Sequence, residues 1–416
     1  MIKKIIISAC LLLSLVSFAQ EGTASPYSYY GIGDVRFKGT AENRSMAGIS
    51  VEQDSIHMNL ENPASFANLK LTTFTVGGSQ ISTNLKSSSK SENARRTTLD
   101  YLAVGLPLGK FGVGFGLIPY SSVGYKINSD VDASSQFYKT LNGSGGLNKV
   151  FLGLGYSVSS KLKIGADVNF NFGKIKTNSL VFTTGVPVGT AESTTADLTG
   201  ANINIGTMYQ SKINKKLNFF SSVNYTLESK LTSKNVRNIS AVMYDSSFNL
   251  LIIDSFDDQS TTVNLKLPSK LSVSAGIGEA KKWLIGAQIV AGSKGNLVND
   301  YNTASNVSYE SSMKYSVGGY YIPNYNSFSN YAKRIVYRGG LKFDKTGLIV
   351  NSESINDVGV NLGLGFPITG SFSNINVGFE FGKRGTTSSN LVQENYATLS
   401  IGFSLNDRWF EKRKFN

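Results

Sequence analysis

The sequence is short of the side chains that do chemistry. It has one cysteine, Cys10, and one histidine, His57, in 416 residues. With Cys10 inside a leader, the mature chain holds no disulfide, no thiolate nucleophile and no cysteine-ligated zinc. A lone His57, placed ahead of the strands, offers no serine–histidine–acid set, so an enzyme is not expected. Asp254, Asp257 and Asp258 lack the spaced pattern of a calcium loop, and neither a metal nor a cofactor is expected. No glycine run has the Lys-Ser/Thr ending of a phosphate loop. After the leader there is no run of roughly eighteen apolar residues, which excludes a spanning helix. Charged residues make up 17%, and the formal +13 is scattered, with no basic block for nucleic acid. Proline is scarce (8), whereas glycine (42) and aromatics (11%) are plentiful, the balance of a large β protein.

What is present begins with a leader. Lys3 and Lys4 precede the short apolar run Ile5–Val16, and Ser17-Phe18-Ala19 supplies small residues for cleavage after Ala19. Ile7-Ser8-Ala9-Cys10 has the look of a lipoprotein box, but too few apolar residues precede Cys10 for it to work as one. Export without a helical anchor leaves the periplasm, secretion or a membrane barrel. The residual positive charge suits anionic lipid headgroups of an outer membrane.

From about residue 70 the dominant period is two. Ile164, Ala166, Val168, Phe170 and Phe172 alternate with Gly165, Asp167, Asn169, Asn171 and Gly173. Val263, Leu265 and Leu267, and then Leu271, Val273, Ala275 and Ile277, alternate with Asn264, Lys266, Ser272, Ser274 and Gly276. Such strands carry one apolar and one polar face. About fourteen segments of this kind are expected, and many exceed the ~9–11 residues that cross a bilayer. Their connections alternate. Long ones are expected near 84–95, 125–146, 176–198, 232–259, 296–306, 345–354 and 385–394. Short ones include Leu108-Gly109-Lys110 and Glu279-Ala280. Short periplasmic turns and long external loops mark outer-membrane barrels, and in such a barrel apolar faces meet lipid while polar faces line the lumen. Asp167, Asn169, Asn204, Asn224, Glu228, Asn264, Lys266, Arg338, Lys342 and Glu380 are therefore expected in the lumen. A soluble sandwich would alternate too, but it would not gather its long connections on one side. The expected fold is all-β: a transmembrane antiparallel β-barrel over 70–416 with an N-terminal lumenal hatch or plug over 20–69.

That leading segment does not alternate. It holds SPYSYYGIGD, RSMAGIS and NLENPASFANL, with Tyr27, Tyr29, Phe37, Met58 and Phe66 making it too apolar for a free tail. Asn62-Pro63-Ala64 forms a corner: Pro63 holds Asn62 extended, and the Asn62 side chain bonds back to the chain two residues on. Whether it is a compact lumenal corner or an ordinary turn into the first strand stays open on sequence alone.

The order of these parts resembles the FadL/OmpP1/TodX family of outer-membrane hydrophobic-compound transporters, with an ending like the Bacteroidetes branch. The matching residues are Gly33, Ser45-Met46-Ala47-Gly48, Asn62-Pro63-Ala64, FGVGFGLIPYSSVGY (111–125) and the stretch 146–173. The resemblance implies fourteen strands around an N-terminal hatch carrying Asn62, Pro63 and Ala64. It also implies a lateral opening at the third strand, where Gly116 removes bulk and Pro119 lacks a ladder donor. External apolar residues Leu180, Val181, Phe182, Val186, Val242, Met243, Leu251 and Ile253 are expected to bind ligand or to pack as hairpins. The function expected is passive uptake of a hydrophobic small molecule such as a long-chain fatty acid in a Gram-negative outer membrane, by way of the external apolar loops, a lumenal pocket and the lateral exit. The alternative is a non-transporting accessory subunit of an outer-membrane secretion or assembly complex.

Overall fold

The computed structural model describes residues 23–128, 137–295, 297 and 306–409. The segment expected to be a leader, with Cys10 and Ala19, lies outside the described residues. Fourteen antiparallel strands close on themselves. They are β1 Thr72–Lys86, β2 Ser91–Leu108, β3 Phe111–Asn128, β4 Phe137–Ser157, β5 Leu162–Thr183 and β6 Val188–Lys212. β7 is broken into Asn218–Thr226 and Ser229–Tyr244, and β8 into Leu250–Ser255, Gln259–Leu267 and Lys270–Glu279. β9 Trp283–Gly292, β10 Ser312–Tyr321, β11 Val336–Val350, β12 Glu353–Pro367, β13 Asn374–Arg384 and β14 Gln393–Asp407 complete the ring. Closure runs from Gln393 opposite Lys86 to Asp407 opposite Thr72, leaving no strand edge unpaired in lipid along that seam.

Alternation does the sorting. On β5, Val168 and Phe170 point out, while Asp167, Asn169 and Asn171 point in and are buried. Leu152 on β4 is 61% exposed, whereas Asn171 is 0% exposed. Such a surface is stable only with acyl chains against it.

Above this belt the faces exchange roles. On β5, Ile175 turns inward and Lys174 and Lys176 outward; on β6, Asn202 and Asn204 line the interior below, but Leu198 and Ala196 line it above. β7 and β8 change phase at one level, at Leu227-Glu228 and Pro268-Ser269. Leu265 and Leu267 therefore face inward while Asn264, Lys266 and Glu228 face water, which corrects their expected lumenal placement. A core of Ile32, Val123, Tyr125, Leu147, Ile175, Leu198, Leu231, Leu265 and Leu267 results. Outside the bilayer, water is the outer solvent, so the ordinary burial rule returns.

The external connections are correspondingly shorter than expected. The spans 176–198 and 232–259 are mostly strand, leaving tips at 184–187 and 245–249. The span 345–354 reduces to Asn351-Ser352, both with positive φ, in a tight turn between β11 and β12. Strand ladders continue past the membrane because the inverted pattern still alternates. The connection between β10 and β11 is long and carries a 3-10 turn, Tyr331–Arg334.

Candidate functional site: the lumen and the external wall

Residues from Thr23 onward run across the interior. The turn Pro63–Asn68 packs against β2 to β6, and Ala41–Arg44 packs against β12 to β14 on the other side. Asn62 fixes the first of these. Its Nδ2 donates to Ser222 Oγ (2.8 Å) and to the carbonyls of Thr207 (3.0 Å) and Val223 (3.2 Å), while Oδ1 accepts from the Ala64 N–H (3.0 Å). Pro63 opens the turn, where its missing N–H costs nothing, and Ala64 is fully buried. A Cβ on Gly206 would lie 1.9 Å from Asn62 Oδ1, and one on Gly112 would lie 1.9 Å from the Phe66 carbonyl. The wall glycines make room for this corner. Phe66, Met58, Leu60, Tyr101 and Phe151 form an apolar cluster around it.

The wall changes at the third strand. β2 and β3 pair only from Leu108–Phe111 up to Leu102–Leu117. Above Leu117, β3 keeps β4 on one side, with a register shift between Pro119 and Ser121. On the other side lies the leading segment: Asp34 and Val35 pair with Ser122 and Ser121, and the Arg36 N–H donates to the Tyr120 carbonyl (2.9 Å). Ser121 Oγ donates to the Ile32 carbonyl (2.7 Å). Gly33, with φ of +90°, is required here, since a Cβ would meet the Ser122 carbonyl at 2.5 Å. Pro119 lines the interior cavity; Gly116, lower on the strand, packs against β2 at Leu102 and Ala103.

The space left inside is a cavity of about 490 Å³. Charged groups stand among an otherwise largely apolar lining that includes Ile32, Ile118, Leu267 and Leu348. Lys342 bridges Glu380 (2.6 Å) and Asp357 (3.1 Å), and Arg384 pairs with Asp34 (2.6 Å). Arg36, Lys38, Lys149 and Lys314 also face it. Lys149 is buried, and its ammonium lies 4.6 Å from the Tyr120 ring centroid. Sequence reasoning placed Arg338, Lys342 and Glu380 inward but missed Lys149 and Lys314. The signal for Lys149 was its inward phase between Leu147 and Phe151.

Beneath the cavity, His57 Nδ1 lies 2.7 Å from Asp54 Oδ2, and Tyr320 donates to Glu52 (2.8 Å). Burial works against charge on His57, but the Asp54 charge and hydrogen bond together outweigh it and raise its pKa. Burial likewise opposes ionisation of Asp54, yet His57 and two backbone N–H groups hold its pKa at about 2. Burial, with Asp54 nearby, raises Glu52 to about 7.

The eight expected ligand residues stand far from that cavity, and none lines it. They fall on two hairpins that join as one sheet. Leu180, Val181 and Phe182 end β5; Val242 and Met243 lie on β7 and pair with Gly189 and Val188 of β6. Phe182 stacks on Tyr244 with centroids 5.1 Å apart, and Val242 is fully buried. Val186, Leu251 and Ile253 are exposed at or near the tips.

Together the fold and interior define a fourteen-stranded transmembrane barrel whose lumen is occupied by its own leading segment. The *Pseudomonas putida* toluene transporter TodX shares this fold, with a TM-score of 0.61, 15% identity, and coverage of 90% of this chain and 99% of that one. So does the CymD monoaromatic hydrocarbon channel (TM-score 0.59, 13% identity, 90% and 99% covered). A *Pseudomonas aeruginosa* FadL homologue is similar as well (TM-score 0.58, 10% identity, 91% and 100% covered). No curated protein sequence matches the chain. The BamG family model matches residues 1–416, and the chain belongs to the BamG family.

Proposed function

We propose that this chain is a non-transporting accessory subunit of an outer-membrane assembly or secretion complex, exported by a leader cleaved after Ala19. Residues 20–69 act as a fixed hatch, and the external wall is the working surface. The observation that carries this reading is the interior: the ion pairs of Lys342 with Glu380 and Asp357 and of Arg384 with Asp34, together with Arg36 and the buried Lys149, stand within the lining of the remaining space. Sites for apolar ligands are lined mainly by apolar side chains. An acyl chain gains ~0.8 kcal/mol per CH₂ only by leaving water for apolar contact, and here these charges interrupt the apolar lining around Ile32, Ile118, Leu267 and Leu348. Membership of the BamG family gives further, weaker support.

Hydrophobic uptake is the second reading. It is favoured by the shared fold with TodX and CymD and by the interrupted β2–β3 ladder beside Pro119. In that reading ligand settles on Leu180, Phe182 and Met243 and leaves sideways past Gly116 and Pro119. The two are separated by titrating the purified barrel with a long-chain fatty acid, with Phe182→Asp as control, alongside co-purification from membranes in mild detergent. A stable protein complex without acyl binding supports the subunit reading. Saturable acyl binding lost in Phe182→Asp, without a partner, overturns it.

A further inference from the structure

Among the described residues, the external wall ends in a strand with one side unpaired. Leu250–Ser255 pairs with Ser240–Tyr244, and Gln259–Thr262 pairs with Lys234–Arg237. Among the described residues, no strand pairs with either segment on its far side; β9, the next strand round, stops at Gly292 opposite Lys270. A free edge presents a row of unpaired N–H and C=O groups, which proteins normally blunt or cover. Here the edge is apolar. Phe248, Leu250, Leu251, Ile252, Ile253 and Phe256 are all exposed, Ile252 at 69%.

Three occupants compete for it. Lipid is out of reach: from Leu271, at the top of the apolar belt, to Ile252 is roughly 60 Å of strand at ~3.3 Å per residue, whereas the apolar band of such barrels is ~25 Å tall. A second copy is disfavoured by charge. Symmetric antiparallel pairing centred on Phe256 would set Asp254 against Asp258, and like charges directly opposite destabilise a sheet. Asp254, Asp257 and Asp258 are exposed, and none is in an ion pair among the described residues. On a chain of formal charge +13, this acidic stretch calls for a basic partner.

We propose that the edge Leu250–Thr262 binds an extended segment of a partner protein by β-strand addition. Main-chain hydrogen bonds supply affinity, Leu250–Ile253 seat apolar side chains, and the three aspartates select Lys or Arg on the incoming strand. This rests on the accessory-subunit reading and names its docking site.

The test uses the full chain in its native membrane. A photo-crosslinking residue is placed at Ile252 or Ile253, with Ser193, exposed on β6 of the same wall, as control. The expected result is one discrete adduct, whose crosslinked peptide is an extended, basic segment of another protein and whose deletion abolishes the adduct. Asp254→Lys, Asp257→Lys and Asp258→Lys together should lower its yield about tenfold, equivalent to ~1.4 kcal/mol, with the folded-barrel mobility on gels unchanged. An adduct with residues 298–305 of this chain, with a second copy, or at no more than the Ser193 level overturns the proposal. Co-purification of a partner that crosslinks only elsewhere sinks the edge and leaves the subunit reading standing. Absence of any partner sinks both.

Discussion

The membrane belt and the external wall are built from the same strands and obey opposite rules. Along β5, Val168 and Phe170 face outward below, while Ile175 faces inward a few residues higher. Nothing about the strand changes except the solvent on its outer side. Below, lipid makes the exterior apolar and leaves the interior to Asp167, Asn169 and Asn171; above, water restores an apolar inside. Where β7 and β8 cannot make this exchange by composition, they make it by phase, through the paired breaks at Leu227-Glu228 and Pro268-Ser269.

Substitutions at matched positions break or sharpen that contrast. The largest effect is expected in the wall core: Leu231→Ala leaves a cavity where the side chain is fully buried, at a cost of about 2–5 kcal/mol, read as earlier proteolysis of the hairpin tips. Next comes the belt. Phe170→Arg should cost about 2–4 kcal/mol in urea unfolding from liposomes, whereas Thr199→Arg, exposed on the wall, should stay within ~0.5 kcal/mol. Equal costs at the two positions would erase the distinction. Asn62→Ala removes the cap and both N–H donors that three wall acceptors share, loosening the leading segment by about 1–3 kcal/mol, seen as faster cleavage within residues 23–71.

The smallest effect is pH-dependent. His57 has a raised pKa, so its contribution is complete below about 6.5 and fades as pH climbs through the higher folded value. Asp54 has a lowered pKa, so its share is present above about 3.8 and fades as pH falls through about 2. Retention of the leading segment in the lumen should therefore be greatest between these limits. Because the Asp54 side chain is 37% exposed, the pair is worth only about 1 kcal/mol. His57→Gln should flatten the alkaline limb of a protease-accessibility profile; an unaltered limb would mean another group titrates there.

Much of the belt was legible in the sequence. Alternation such as Val168-Asn169-Phe170-Asn171 names both faces at once, and strand length with the long-short order of the connections points to a membrane outside them. Asn62-Pro63-Ala64 was legible as a corner, though its three lumenal acceptors come from strands far along the chain. The wall was not legible. Val263-Asn264-Leu265-Lys266-Leu267 reads alike whichever face meets water, and the Pro268-Ser269 break that reverses it resembles any turn. For the same reason Asn264 and Lys266 were expected in the lumen. Lys149 and Lys314 are isolated cations in the sequence; only closure of the ring brings them to one cavity.

The most direct test of the exchange of faces uses residues 20–416, which hold no cysteine. Single cysteines at Val168, Val273, Leu265 and Leu267, spin-labelled in liposomes, report their solvent by collision with oxygen or with a water-soluble relaxant. The account predicts high oxygen access at Val168 and Val273 and little access of either kind at Leu265 and Leu267. Oxygen access at Leu265 and Leu267 equal to that at Val273 would contradict it, because both halves of β8 would then turn the same face to lipid.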